Sequence, residues 1–101
     1  MRFLISAAMF ATAALAAPAS ATGVIKCNAG PESGWKSSDA LKAKLIKEGW
    51  KVRLVKPDGG CYEVYGTTPE GDRVEAYFHP VTLEKLYVGR RGEVLFRKTG
   101  Y

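Results

Sequence analysis

Gly49-Trp-Lys-Val-Arg-Leu-Val-Lys-Pro-Asp-Gly-Gly-Cys-Tyr-Glu-Val-Tyr-Gly66, continued by Arg73-Val-Glu-Ala-Tyr-Phe-His-Pro80, decides the fold. From Trp50 the apolar positions recur every second residue: Trp50, Val52 and Leu54 alternate with Lys51 and Arg53. A period of two marks a strand with one buried face. Pro57-Asp58-Gly59-Gly60 is turn chemistry, since proline presets φ and glycine tolerates positive φ. Cys61 to Tyr65 makes a second strand, with Tyr62 and Val64 on one face and Cys61, Glu63 and Tyr65 on the other. Thr67 to Asp72, holding Pro69 and Gly71, turns the chain again. Arg73 to Phe78 is a third strand: Val74, Ala76 and Phe78 point one way, Arg73, Glu75 and Tyr77 the other. His79-Pro80 ends it, because proline has no N–H to give a ladder.

Upstream the period changes. Leu41 and Leu45 lie one turn apart with Ile46 beside them, and Lys42, Lys44, Lys47 and Glu48 fall largely elsewhere. This predicts a short amphipathic helix, about Asp39 to Glu48. Ser37-Ser38-Asp39 supplies side-chain acceptors for its first N–H groups, and Gly49 stands where a left-handed C-terminal cap belongs. Trp35 is placed to pack under the first turn. Residues 22–34, with Gly23, Gly30, Pro31 and Gly34, have no hydrophobic period and read as an irregular lead-in. Downstream, Leu83 to Val88 is compatible with a fourth strand, and Gly89-Arg90-Arg91-Gly92 would turn it into a fifth, Val94 to Arg97. The expected fold class is α+β: one N-terminal helix laid on an antiparallel meander of three to five strands.

The first residues have the make-up of an export signal. Arg2 is the positive start, Phe3 to Ala17 is apolar and uncharged, and Ala19-Ser20-Ala21 offers a small-x-small cleavage pattern. Cleavage is expected after Ala21. A retained anchor is the alternative, but the run is shorter than the roughly 20 residues that span a bilayer. The mature chain, Thr22 to Tyr101, has room for one domain, residues 35–101, and a small core. The full chain carries 15 Lys and Arg against 10 Asp and Glu; losing Arg2 leaves a mildly basic, mixed-charge protein. Nucleic acid is not an expected partner for an exported chain, while weak attraction to anionic lipid headgroups or to an acidic partner stays open. Cys27 and Cys61 are too far apart for a Cys-x-x-Cys redox motif and too few for a zinc site. In an oxidising compartment they suit a structural disulfide; a free reactive pair is the alternative.

The ordered series Leu41, Leu45, Gly49-Trp50, Asp58-Gly59, Tyr62-Glu63-Val64, Gly71, Arg73-Val74-Glu75 and Pro80-Val81-Thr82 resembles the PepSY domain over about Trp35 to Leu86. Trp35 and Gly60-Cys61-Tyr62 look most like a small, single-domain, exported bacterial branch of that family. The resemblance implies a helix-and-meander fold and an inhibitory, chaperone-like or accessory role, some members being segments of metallopeptidase propeptides and others accompanying membrane redox or sensor proteins. Two positions depart from the pattern. His79 stands where the family usually has Asp or Asn, and Leu83 where it usually has Gly, so the closing turn is expected to differ.

No nucleophile with a base, metal cluster or phosphate loop is legible, so no enzyme is expected and no cofactor. His79 is the lone histidine: a turn residue first, a weak metal candidate second. Glu63, Glu75 and Glu93 could do acid–base work as pairs, but cross-strand ion pairs with Arg53 and Arg73 explain them better. Tyr65 and Tyr77 fall on the face away from the helix. With Arg53 and Arg73 they have the composition of a protein-binding surface; ordinary cross-strand packing of the aromatics is the alternative. The expected function is therefore an exported, non-catalytic module that binds or regulates a periplasmic or membrane partner protein. The alternative is a small regulator responding to metal through His79 or to redox state through Cys27 and Cys61.

Overall fold

A computed structural model describes residues 23–101. The expected leader and its cleavage site lie outside them. A 3-10 turn, Glu32–Gly34, precedes the helix α1, Ser38–Lys47. Five strands follow: β1 Lys51–Asp58, β2 Cys61–Thr67, β3 Arg73–Phe78, β4 Lys85–Arg90 and β5 Glu93–Arg97. They form one antiparallel sheet in chain order, β1-β2-β3-β4-β5. The α+β expectation holds at that level. The helix, however, is not the first ordered piece, since the lead-in and the 3-10 turn come before it.

Both ends of α1 are closed by local chemistry. The Ser37 hydroxyl accepts from the Ala40 N–H at 3.0 Å, satisfying one orphan donor of the first turn. Asp39 sits in the first turn and Lys44 and Lys47 in the last, which suits the helix dipole. Past the C-terminus, Gly49 takes φ +100°. Its N–H reaches the Ile46 carbonyl at 3.0 Å, and the Trp50 N–H reaches that of Leu45 at 2.9 Å. This is a Schellman closure, and it delivers Trp50 into the core beside Leu45. Ile46 is 53 % exposed; only Leu41 and Leu45 of the helix are buried.

The first core cluster joins Leu41 and Leu45 to Trp50, Tyr62, Val64, Val74, Ala76, Phe78, Leu83 and Val88. Trp35 meets Tyr62 edge-on at 5.3 Å between ring centres, and Trp50 meets Phe78 at 5.8 Å. The polar ends of these rings are satisfied: Trp35 Nε1 donates to the Gly30 carbonyl and the Tyr62 hydroxyl to that of Lys36, as buried aromatics with a polar tip require.

The alternation expected in β1 breaks at Arg53. The register passes from Val52 opposite Gly66 to Leu54 opposite Tyr65, so Arg53 is the extra residue of a bulge. Everything after it changes face. Val55, not Leu54, packs on the first core, and Leu54 is 46 % exposed on the other side. Pro57 lies inside β1 rather than in the turn, which an edge strand tolerates. Gly59 and Gly60 alone make the turn, both with positive φ and with Asp58 paired to Cys61, as a two-residue hairpin of matching twist demands. The second short hairpin works likewise. Arg91 and Gly92 carry φ of 49° and 81° between the paired Arg90 and Glu93. Gly89, expected in that turn, belongs to β4.

The turn that closes β3 is built by the two residues that depart from the family pattern. His79 Nδ1 accepts from the N–H groups of Val81 at 3.1 Å and Thr82 at 3.4 Å, the work an Asp or Asn side chain does in such a turn. Leu83 adopts φ +64°, the conformation that favours glycine, while its side chain is buried in the first core. The two unusual residues thus supply an acceptor and a left-handed position by other means.

Candidate binding face

The sheet face away from α1 is organised in rows by the strand register. Lys56, Glu63, Tyr77, Tyr87 and Arg97 stand side by side from β1 to β5. The next row is Leu54, Tyr65, Glu75, Gly89 and Val94.

The lead-in closes the first of these rows. Ile25, 2 % exposed, forms a second buried cluster with Cys61, Tyr77, Leu86 and Tyr87, and Cys27 packs against it. Three ties hold this strap down. Cys27 is disulfide-bonded to Cys61, its N–H donates to the Gly59 carbonyl at 2.9 Å, and the Gly23 N–H donates to the Asp58 carboxylate at 2.8 Å. The approach is close enough to need glycine below it. A Cβ on Gly60 would stand 2.3 Å from the Cys27 carbonyl oxygen. The glycine pair therefore serves the hairpin and the strap together.

Tyr77 is accordingly not part of an exposed patch, as the alternation alone had suggested. It is 0 % exposed, its ring meets Tyr87 edge-on at 6.0 Å, and its hydroxyl donates to Asp58 at 2.6 Å. Burial first, then that hydrogen bond, pushes the phenol far above its usual pKa. Asp58 moves the other way: burial opposes its charge, but the Tyr77 hydroxyl, the Gly23 N–H, Lys56 and Lys26 together hold it below the usual carboxylate range.

Glu63, in the same row, is 0 % exposed, and neither carboxyl oxygen has a hydrogen-bond partner among the described residues. Lys56 Nζ stands 3.7 Å away. The expected ion pairing to Arg53 or Arg73 is thus replaced, for Glu63, by Lys56, its direct neighbour across β1 and β2; Glu93 pairs with Arg90. Burial drives the Glu63 pKa up, Asp58 and Glu75 add to the rise, and Lys56 and Tyr65 only partly offset it. A raised carboxyl is a catalytic signature when it faces a cleft. Glu63 faces none.

The described residues leave the second row open. Tyr65 and Glu75 are half-buried at its centre, and Arg53, Arg73 and Arg91 are exposed around them. These five line one shallow groove with Tyr87. The Arg53 guanidinium lies 5.9 Å from the centre of the Tyr65 ring and Lys56 Nζ 5.4 Å, within cation–π range. Of the four residues expected to carry binding, the structure brings Tyr65, Arg53 and Arg73 together here and places Tyr77 beneath the strap. Arg91 was not singled out from the sequence; its place in a second Gly-containing turn was the available signal.

His79 does not belong to this groove, and its Nδ1 is committed to the turn. Among the described residues no group of three or more His, Cys, Asp or Glu is arranged to hold a metal ion. No helix among them is long and apolar enough to cross a membrane.

The fold and this half-open face define a class: a small, disulfide-tied α+β domain whose sheet has one side closed by a helix and the other half-closed by a strap. Within that class the chain belongs to the PepSY family, since the model of the peptidase propeptide and YPEB domain matches residues 4–87. The match ends inside β4, so β5 lies beyond it. PepSY domains are generally non-catalytic and propeptide- or inhibitor-like. No curated protein and no solved structure matches the chain.

Proposed function

We propose that this chain is an exported PepSY module that docks on a partner protein, in the manner of a propeptide- or inhibitor-like domain, through the open half of the sheet face away from α1. The observation that carries this reading is the strap. Among the described residues it covers the Tyr77 row and leaves the Tyr65 row open, with three arginines around a half-buried tyrosine. Arginine and tyrosine are the residues interfaces concentrate.

The sheet edges are poorer candidates. Strand addition needs a regular row of free backbone groups. Here β1 carries a bulge and Pro57, and β5 pairs with β4 through a bulge of its own; both are devices that blunt an edge. Export is supported by the disulfide, which persists in oxidising compartments, and by the leader-like first residues.

The test is photo-crosslinking in the producing cell, with a benzophenone side chain at position 65 and, as control, at position 46 on the exposed face of α1. A discrete protein adduct from position 65 and none from position 46 is expected. No adduct at 65, or the same adducts from both positions, refutes docking through this face.

A further inference from the structure

Resting on that docking reading, we propose that the open groove recognises an extended acidic segment of the partner, about six residues long, with an apolar side chain at each end.

The charge argument comes from which cations are already engaged. Arg90 is held by both Asp72 and Glu93, Lys44 by Glu48, Lys56 by Glu63 and Lys98 by Glu84. Arg53, Arg73 and Arg91 form no ion pair among the described residues, and all three are exposed on one groove. Glu75 is the single acidic residue lining it among the described residues. Three guanidiniums around one half-buried carboxylate leave a surplus of positive charge. Each guanidinium offers a planar fork of donors that matches a carboxylate.

Length and polarity follow from the register. Leu54 and Val94 end the open row on β1 and β5 and are 46 % and 50 % exposed. Four strand spacings separate them, about 19 Å. An extended chain covers that distance in about six residues. A segment crossing the strands would set one apolar side chain on Leu54 and Tyr65, another on Val94, and its carboxylates between, on the arginines. A lipid surface fits less well, because the two apolar residues stand on opposite edge strands of the sheet rather than in one patch.

The test uses the oxidised protein and a fluorescein-labelled hexapeptide of four glutamates flanked by leucine and phenylalanine, read by anisotropy at low salt. Saturable binding is expected, weakening at least tenfold with Arg73→Glu and with Arg91→Glu, both checked for folding by circular dichroism. It should change less than twofold with Lys44→Glu, which alters net charge equally on the other side. The same peptide with lysine for glutamate should not bind. Failure of wild type to bind the acidic peptide, or loss shared equally by Lys44→Glu, overturns the proposal. So does tighter capture by phosphatidylglycerol vesicles that Arg73→Glu abolishes while peptide binding is unchanged. If the position 65 crosslink forms and the acidic peptide does not bind, the chemistry is wrong and the docking face stands; if neither occurs, both fall.

Discussion

Removing the Cys27–Cys61 bridge should cost this domain a large share of its stability. The two cysteines are 34 residues apart. On the chain-entropy account, opening a loop of that length frees about 12.6 cal/mol/K in the unfolded chain, or about 3.8 kcal/mol at 25 °C. If the strap then leaves the sheet, the burial of Ile25 is lost as well, a further ~1.5–3 kcal/mol. A domain of this size has roughly 4–12 kcal/mol in total. The double variant Cys27→Ala, Cys61→Ala should therefore unfold far earlier in urea. With a slope near 1 kcal/mol/M at the small end of the range, the midpoint falls by about 4 M, and by more if the strap is released. Ile25→Ala in the oxidised protein separates the two contributions, since it loses packing and keeps the tether, at about 2–5 kcal/mol. A loss below ~1 kcal/mol on removing the bridge would refute the chain-entropy reasoning for this tether.

Two carboxyls should give opposite pH responses. Glu63 is raised in the fold, so its contribution favours folding below the usual glutamate pKa and is lost as pH rises through the folded value; Asp58 is lowered, so its contribution is present at neutral pH and lost as pH falls through its depressed value. Glu63→Leu should raise stability at pH 7 by roughly 1–3 kcal/mol, by removing a buried carboxyl that has an ion pair to Lys56 but no hydrogen bond among the described residues, and should leave only the acid loss in a pH series of urea midpoints. Tyr77→Phe should cost about 1.5–3 kcal/mol, the range for a hydrogen bond to a charged group, with little further loss when Asp58→Asn is added; additive losses in the double-mutant cycle would show that the pair is not coupled. His79→Asn should keep the closing turn, whereas His79→Ala should lose about 1 kcal/mol by thermal melting, through two unserved backbone N–H groups.

The parts of the fold that depend on neighbours in sequence were legible from it. Ser37, the Leu41–Leu45 spacing and Gly49 mark α1 because capping and periodicity are local physics. The glycine pair at 59 and 60 and the alternation of β2 and β3 are local in the same way. The bulge at Arg53 was not legible. An inserted residue leaves Trp50, Val52 and Leu54 looking like one face, and only pairing with β2 reveals that Val55 has taken Leu54's place. The strap was hidden for a different reason. One apolar residue, Ile25, does its covering, too little to make a period, and the ties at Cys27, Gly59 and Asp58 are all to distant chain. Tyr77 was therefore assigned to the right face and the wrong environment. Of the candidate site, Tyr65, Arg53 and Arg73 were recoverable by counting faces. Arg91 reaches the groove through β4 and its hairpin, whose boundaries the sequence left open.

A sheet whose two outer strands are both bulged has borders that do not invite extension by backbone pairing. Under the proposed docking, contact with a partner would then pass through side chains on the half-face that the described residues leave open. Backbone pairing is indifferent to sequence, so a domain that relied on it would bind many strands alike and change its preference only by altering its fold. Under the same proposal the preference would be written in a few positions of this face, of which Arg53, Arg73 and Arg91 are exposed. Such a surface can be re-addressed to a new partner by substitutions at Arg53, Tyr65, Arg73 and Arg91, while the glycine hairpin, the bridge and the helix caps keep the scaffold unchanged.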